Sequence, residues 1–282
     1  DQHFQIHAPL PPQTSFADEG AANHMRLCDP TTGESLNLFI YGQENGKTNC
    51  PHTKRYSSRQ SLLACQSIIR NHSLNPEYCL LIQQNPAAID QGAFHNDVVS
   101  VGLNNFLLVH EQAWLNQPNV LKQLQQLTQH WQQPLIIMQI DSERLTLNES
   151  IHSYLFNSQL VTLQEGGMAL IAPEESRESK ATYLLVQQLL DAENPITAVH
   201  FIDLRESMQN GGGPACLRLP IPLSKEELRA VDPTFILNKM RYLQLKNWIN
   251  EYYRDILTVG ELRDPLLLDE NKKAHQALMK LL

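Results

Sequence analysis

The chain has 282 residues, 42% of them hydrophobic, and its 30 acidic and 22 basic residues give a formal charge of −8. That is enough apolar content to bury a core, in one large domain or two ordinary ones. Its Lys and Arg are scattered singly among acids, so no basic stripe is available to neutralise a row of phosphates, and nucleic acid is excluded as a partner. The longest apolar runs, such as Leu135 to Met138 and Phe106 to Val109, are far shorter than the roughly 20 residues a membrane helix needs.

Five cysteines, at 28, 50, 65, 79 and 216, form an odd set without a C-x-x-C pair. This usage fits a reducing cytosol rather than a disulfide framework. Asp1 to Leu10 contain neither an initiator Met nor a charged and then apolar leader, and they read as the start of a chain cut from a longer one.

In chain order, Ser57 and Ser58 are candidate caps for a helix whose stripe is Leu62, Cys65, Ile68 and Ile69, and a strand from Tyr78 to Ile82 follows. Next come strands at His95 to Val101 and Phe106 to His110 joined by Asn104-Asn105, a Gln-rich helix near Val120 to Trp131, and a strand at Leu135 to Ile140. Thr146 with Glu149 three residues on forms a capping box that opens another helix. Strands at Leu160 to Leu163 and Met168 to Ala172 flank Gly166-Gly167, and a helix near Ser179 to Leu190 leads to a strand near Ala198 to Asp203. A third unit begins with a strand at Ala215 to Leu219 and enters helices through a second capping box, Ser224 with Glu227, and Asp232-Pro233.

The order ββαβ thus recurs, with unit starts near 95, 160 and 215. Even spacing of this kind points to a radial array of like modules, and three and a half units leave the ring open toward the N-terminal side. An ordinary mixed α/β sheet is the alternative that the same pattern allows.

The strongest local chemical signal is Gly211-Gly212-Gly213-Pro214-Ala215-Cys216, a thiol at the mouth of a strand after a loop that permits close approach. A nucleophilic thiolate needs a lowered pKa and access, although free cysteines are commonly buried small hydrophobes. Cys65 and Cys79 read as core, and Cys28 and Cys50 carry no motif. His95 and Asp97 sit two apart at a strand start, so imidazole and carboxylate share a face, suited to general acid/base work beside a cationic substrate; a solvated strand end is the plainer reading. Asp18 to His24 reads as a turn able to hold a carboxylate, Glu19, that would orient an imidazole. Cys50-Pro51-His52 offers two metal ligands without a partner pair, and the glycines at 211 to 213 lack the spacing of a nucleotide loop.

Asp18 to His24, Gln83 to Pro86, Asp90 to Asp97, Tyr154 to Leu160 and Asp203 to Arg218 together resemble the N-succinylarginine dihydrolase family of the guanidine-modifying superfamily, from about residue 4 to beyond 255. The resemblance implies an α/β fold, a pseudo-symmetric propeller (pentein) with five ββαβ blades in the full-length family. Residues 1–282 would then be a single catalytic domain, missing N-terminal blades with a substrate-binding loop and, slightly, the C-terminal tail.

It further implies catalysis by Cys216, His95 and Glu19, substrate contacts from Arg59 to a carboxylate, Asp97 to a guanidinium and Asn210, no metal or organic cofactor, a small-molecule substrate and a cytoplasmic homodimer. The reaction implied is hydrolysis of N2-succinyl-L-arginine to N2-succinyl-L-ornithine, two ammonia and carbon dioxide, a step of arginine catabolism. The competing readings are a deiminase that stops after one ammonia, an inactive fragment acting through protein contacts, and a Cys-His acyl hydrolase. Asp97 opposes the last, because a carboxylate repels a developing oxyanion.

Overall fold

The computed structural model describes residues 4–18, 20–44, 51–209, 212–216, 221 and 223–282. The chain divides into two compact units, Asp1–Leu219 and Pro220–Leu282.

In the first unit one ββαβ motif occurs three times. β1 (His24–Cys28) runs antiparallel to β2 (Ser35–Tyr41), α1 (Leu62–Asn71) crosses over, and β3 (Cys79–Gln83) returns parallel to β2. After α2 (Pro86–Asp90), the pattern repeats as β4 (Ser100–Leu103), β5 (Phe106–His110), α3 (Gln117–Leu127) and β6 (Ile136–Ile140). After α4 (Leu147–Ser153) it repeats as β7 (Gln159–Thr162), β8 (Met168–Pro173), α5 (Glu174–Glu178), α6 (Lys180–Asp191) and β9 (Ile196–Ile202). The hairpins need only tight turns, whereas each parallel return requires a crossover, which the helices supply. In every sheet the second strand lies in the middle.

The modules expected near 95 and 160 are present, and both capping boxes form: Thr146 and Ser224 each accept the N–H of the residue three positions on. Four expectations need correction. The segment read as a bare αβ unit is a complete module whose first two strands the sequence reading missed, and Ser61 rather than Ser57 or Ser58 caps α1, its Oγ accepting from Ala64 N at 2.9 Å. His95 does not begin a strand: it is extended (φ −127°, ψ 155°) and enters a 3-10 turn, Asn96–Val98, so His95 and Asp97 share no strand face. Pro214, Ala215 and Cys216 form a turn where a strand was expected, and residues 217–219 of that expected strand lie outside the described residues.

The central strands explain why the modules associate. Every residue of β5 is buried, and its alternate side chains enter different cores. Leu107 and Val109 pack with Leu27, Leu38, Ile40 and Trp114 of one cluster. Phe106 and Leu108 pack with Phe156, Leu160, Leu170 and Leu185 of the other. A strand covered on both faces reads as a continuous apolar run, as Phe106-Leu107-Leu108-Val109 does. Gly102 on β4 permits the close seating of β1, because a Cβ there would stand 2.6 Å from Met25 Sδ and 2.8 Å from Leu27 Cδ2. Beyond β9, α7 (Arg205–Gln209) leads toward the Cys216 turn.

The second unit contains α8 (Lys225–Ala230), α9 (Lys239–Tyr252) and α10 (Pro265–Leu281). Trp248 on α9 donates its indole N–H to the Ala274 carbonyl of α10 at 2.8 Å. Arg254, in the connection, pairs with Asp264 at 3.0 Å and Glu270 at 2.7 Å, which clamps the two helices together.

Candidate active site

Short 3-10 turns precede the first strand of each module: Gly20–Asn23 before β1, Asn96–Val98 before β4 and Leu155–Asn157 before β7. The first packs against the second and the second against the third. Among the described residues, His95 and Asp97 lie beside and on the second of these turns.

The Asn96–Val98 turn is fixed from inside. Asn96 is buried, and its Oδ1 accepts from Trp114 Nε1 at 2.8 Å and Ser100 Oγ at 2.9 Å. Its backbone N–H donates to Asn23 Oδ1 at 2.9 Å, which stitches this turn to the preceding one. So held, the turn carries the half-buried His95 and buries Asp97 at 6% exposure.

Asp97 meets Cys216 across 119 residues of sequence: Asp97 Oδ2 is 3.4 Å from Cys216 Sγ. Asn157 Nδ2 donates to the same sulfur at 3.3 Å. The turn holding Cys216 is anchored on Asn157, whose main-chain oxygen and Oδ1 both accept from Ala215 N at 3.2 Å. A Cβ on Gly213 would fall 2.1 Å from Asn157 Oδ1. The glycine therefore makes room for the protein's own carboxamide.

Burial pushes the Cys216 thiol up, and the neighbouring Asp97 carboxylate pushes it further, while the Asn157 hydrogen bond pulls it down. Without a cation beside Asp97, the thiol form is favoured. Tyr154, in the left-handed region at φ 53°, stands close by. Its hydroxyl is raised by burial, then by Cys216 and Asp97.

Arg59 is exposed, with its guanidinium 5.0 Å from the centroid of Phe94, the residue before His95. Tyr56 meets the same ring edge-on at 5.1 Å. The Asp90 carboxylate holds this loop, accepting from the backbone N–H of Lys54 at 2.8 Å, Arg55 at 2.7 Å and Tyr56 at 3.1 Å. Glu19 and Asn210 lie outside the described residues. Asp18 and the Gly20–Asn23 turn flank the former, and Gln209, the last residue of α7, precedes the latter.

Sequence reading named Asp97 and Cys216, but it gave Asn157, Asn96 and Tyr154 no separate role. The only available signal was their position inside the motif stretches. His110 is fully buried, with Nε2 2.9 Å from the Leu145 carbonyl and Nδ1 accepting from Gln112 N. Among the described residues no three His, Cys, Asp or Glu side chains are grouped to hold a metal ion, and no helix is long and apolar enough to cross a membrane.

Fold and site together define a mixed α/β protein that sets one thiol against a buried carboxylate where its modules converge. The chain belongs to the succinylarginine dihydrolase family, whose model matches residues 1–282. It is 44% identical over 280 residues to the N-succinylarginine dihydrolase of Pseudoalteromonas translucida strain TAC 125, covering 99% of this chain and 62% of that protein. With the proteins of that name from Shewanella loihica and Aeromonas hydrophila the identities are 42% and 41%, over 100% of this chain and 63% of each relative. The chain thus spans less than two thirds of the length of these relatives.

Proposed function

We propose that this chain carries the cysteine chemistry of N2-succinyl-L-arginine hydrolysis, a step of arginine catabolism. The observation that carries the reading is the 3.4 Å approach of Asp97 Oδ2 to Cys216 Sγ beside His95. A carboxylate there discourages an oxyanion but suits a guanidinium, whose planar N–H groups it can accept in bidentate fashion. A bound guanidinium also reverses the charge next to the sulfur and makes the thiolate accessible.

In this mechanism the Cys216 thiolate attacks the guanidinium carbon. His95, oriented by Glu19, protonates the leaving ammonia, then takes a proton from the water that breaks the carbon–sulfur bond and regenerates the cysteine. The ureido product passes through a second round: sulfur displaces the second ammonia, water releases a carbamate, and the carbamate loses carbon dioxide to leave N2-succinyl-L-ornithine. Arg59, held over Phe94, pairs with a substrate carboxylate, and Asn210 contacts substrate near the nucleophile. No metal or organic cofactor is required.

On the same reading, residues 1–282 act as a single catalytic domain, the three modules are blades of a ββαβ propeller, and the enzyme is a cytoplasmic homodimer. Three repeats of one topology and the stitched order of their leading turns support the propeller.

The test is to incubate the purified chain with N2-succinyl-L-arginine and count ammonia released per substrate consumed, with Cys216→Ala as the blank. Two ammonia, lost in the variant, are expected. One would make the chain a deiminase, and none would remove the reading for this chain.

A further inference from the structure

Beyond the residues assigned so far, we infer that Asn157 is a positioning residue for the nucleophile: its carboxamide N–H holds and stabilises the Cys216 thiolate while its oxygen pins the turn that carries the sulfur. The inference rests on the proposed cysteine chemistry. It starts from the orientation of one amide. Nitrogen and oxygen of an asparagine are told apart by what surrounds them. Here the Ala215 N–H, which can only donate, points at one end of the group at 3.2 Å. That end must be oxygen, so the NH2 faces the sulfur at 3.3 Å.

Sulfur changes partner with its charge. As a thiol it can donate to Asp97 Oδ2 at 3.4 Å or to Asn157 Oδ1 at 3.7 Å. As a thiolate it can only accept, and the Asn157 N–H is in place to donate. Asn157 is fully buried, so the donor is not competing with water, and a hydrogen bond to a charged group is stronger than one between neutral groups. Nor can the group easily turn away. Its main-chain oxygen accepts from the same Ala215 N–H, and Gly213 lies so close that a methyl group there would overlap its oxygen. The Leu155–Asn157 turn follows Tyr154, whose φ of 53° is costly for a bulky residue. That strain is held where it aims Asn157 at the cysteine.

The measurement is the pH profile of Cys216 alkylation by iodoacetamide, followed on the Cys216 peptide by mass spectrometry so that the other cysteines do not contribute. Asn157→Leu removes the donor at similar volume without adding charge, and leaves Ala215 N–H its main-chain acceptor. The alkylation midpoint is expected to move to higher pH, with the thiolate fraction below it falling about tenfold, the size of one charge-assisted hydrogen bond. The midpoint is read rather than a single rate, because a more basic thiolate is also more nucleophilic.

Gly213→Ala, whose methyl would overlap the Asn157 carboxamide oxygen and displace the group, should move the midpoint in the same direction and gives the reading if Asn157→Leu does not fold. A folded variant of either kind that titrates like the wild type would overturn the inference. Because alkylation needs no turnover, the two readings separate. Ammonia release with an unmoved midpoint sinks the Asn157 role alone. A moved midpoint without ammonia release sinks only the hydrolase reading of this chain.

Discussion

Asn96 joins the module core to the turn that carries His95 and Asp97, so its replacement by alanine should lower stability by an amount that follows from its hydrogen bonds. Its Oδ1 is the acceptor for Trp114 Nε1–H at 2.8 Å and Ser100 Oγ–H at 2.9 Å, with both donors at 2% exposure or less. Ser100 retains the Asn96 carbonyl at 3.4 Å, so its loss is partial, whereas the indole N–H is left unsatisfied in the core. An orphaned buried donor costs about 1–3 kcal/mol. Adding the weakened serine bond gives about 2–4 kcal/mol for Asn96→Ala. In a unit of this size that corresponds to a fall of roughly 5–15 °C in melting temperature. Urea unfolding followed by far-UV circular dichroism measures the free energy directly. A cycle with Trp114→Phe identifies the cause: once the indole N–H is gone, the Asn96 change should cost at least about 1 kcal/mol less. Additivity within about 0.5 kcal/mol would refute the reasoning, since uncoupled sites add within that margin.

Two further outcomes follow from the same geometry. Gly102→Ala should destabilise the first unit by about 1–3 kcal/mol, the usual cost of overpacking, because the added methyl would meet Met25 Sδ at 2.6 Å, Leu27 Cδ2 at 2.8 Å and the fixed Phe106 carbonyl oxygen at 3.0 Å; a melting temperature equal to or above that of the wild type would show that β1 and β4 are not seated this way. Asp97→Asn should abolish ammonia release from the guanidinium substrate while moving Cys216 alkylation to lower pH. The sign follows from the carboxylate's contribution: it raises the thiol, so its removal lets the thiolate form earlier. An alkylation profile shifted to higher pH would refute the electrostatic account.

How much of this was legible before the structure depends on how local each signal is. The Phe106 to His110 strand was read with the bounds it has because, buried on both faces, it is apolar at every position from Phe106 to Val109. The two capping boxes were equally readable, since they are complete within four residues. β2 was missed although Leu36, Leu38 and Ile40 alternate toward one core, because Phe39 between them fills a second cluster with Cys65 and Ile69 and breaks the apolar and polar alternation. At Ala215 and Cys216 the strand expectation failed for the opposite reason: the apolar residues look like a strand, but the backbone there is committed to a turn by the Asn157 anchor. Nothing within a dozen residues of Ala215 announces that anchor.

The site follows a repeated stitch that no single module reveals. Asn23, at the end of the first leading turn, accepts through its Oδ1 from the backbone N–H of Asn96 in the second at 2.9 Å. Asn157, at the end of the third, accepts through its Oδ1 from the backbone N–H of Ala215 at 3.2 Å. The same residue type, at the last position of the turn ahead of a module's first strand, thus fastens the segment beginning the next stretch of chain. In the first instance the fastened segment bears His95 and Asp97; in the second it bears Cys216. A short 3-10 turn leaves its terminal side chain free to accept, so the ends of the modules become the places where distant segments are joined. Chemistry that needs a thiol and a carboxylate 119 residues apart is assembled where those joins meet. The Asn157 that makes the second join also donates to Cys216 Sγ at 3.3 Å, so the residue that fastens the turn is in contact with the sulfur the turn carries.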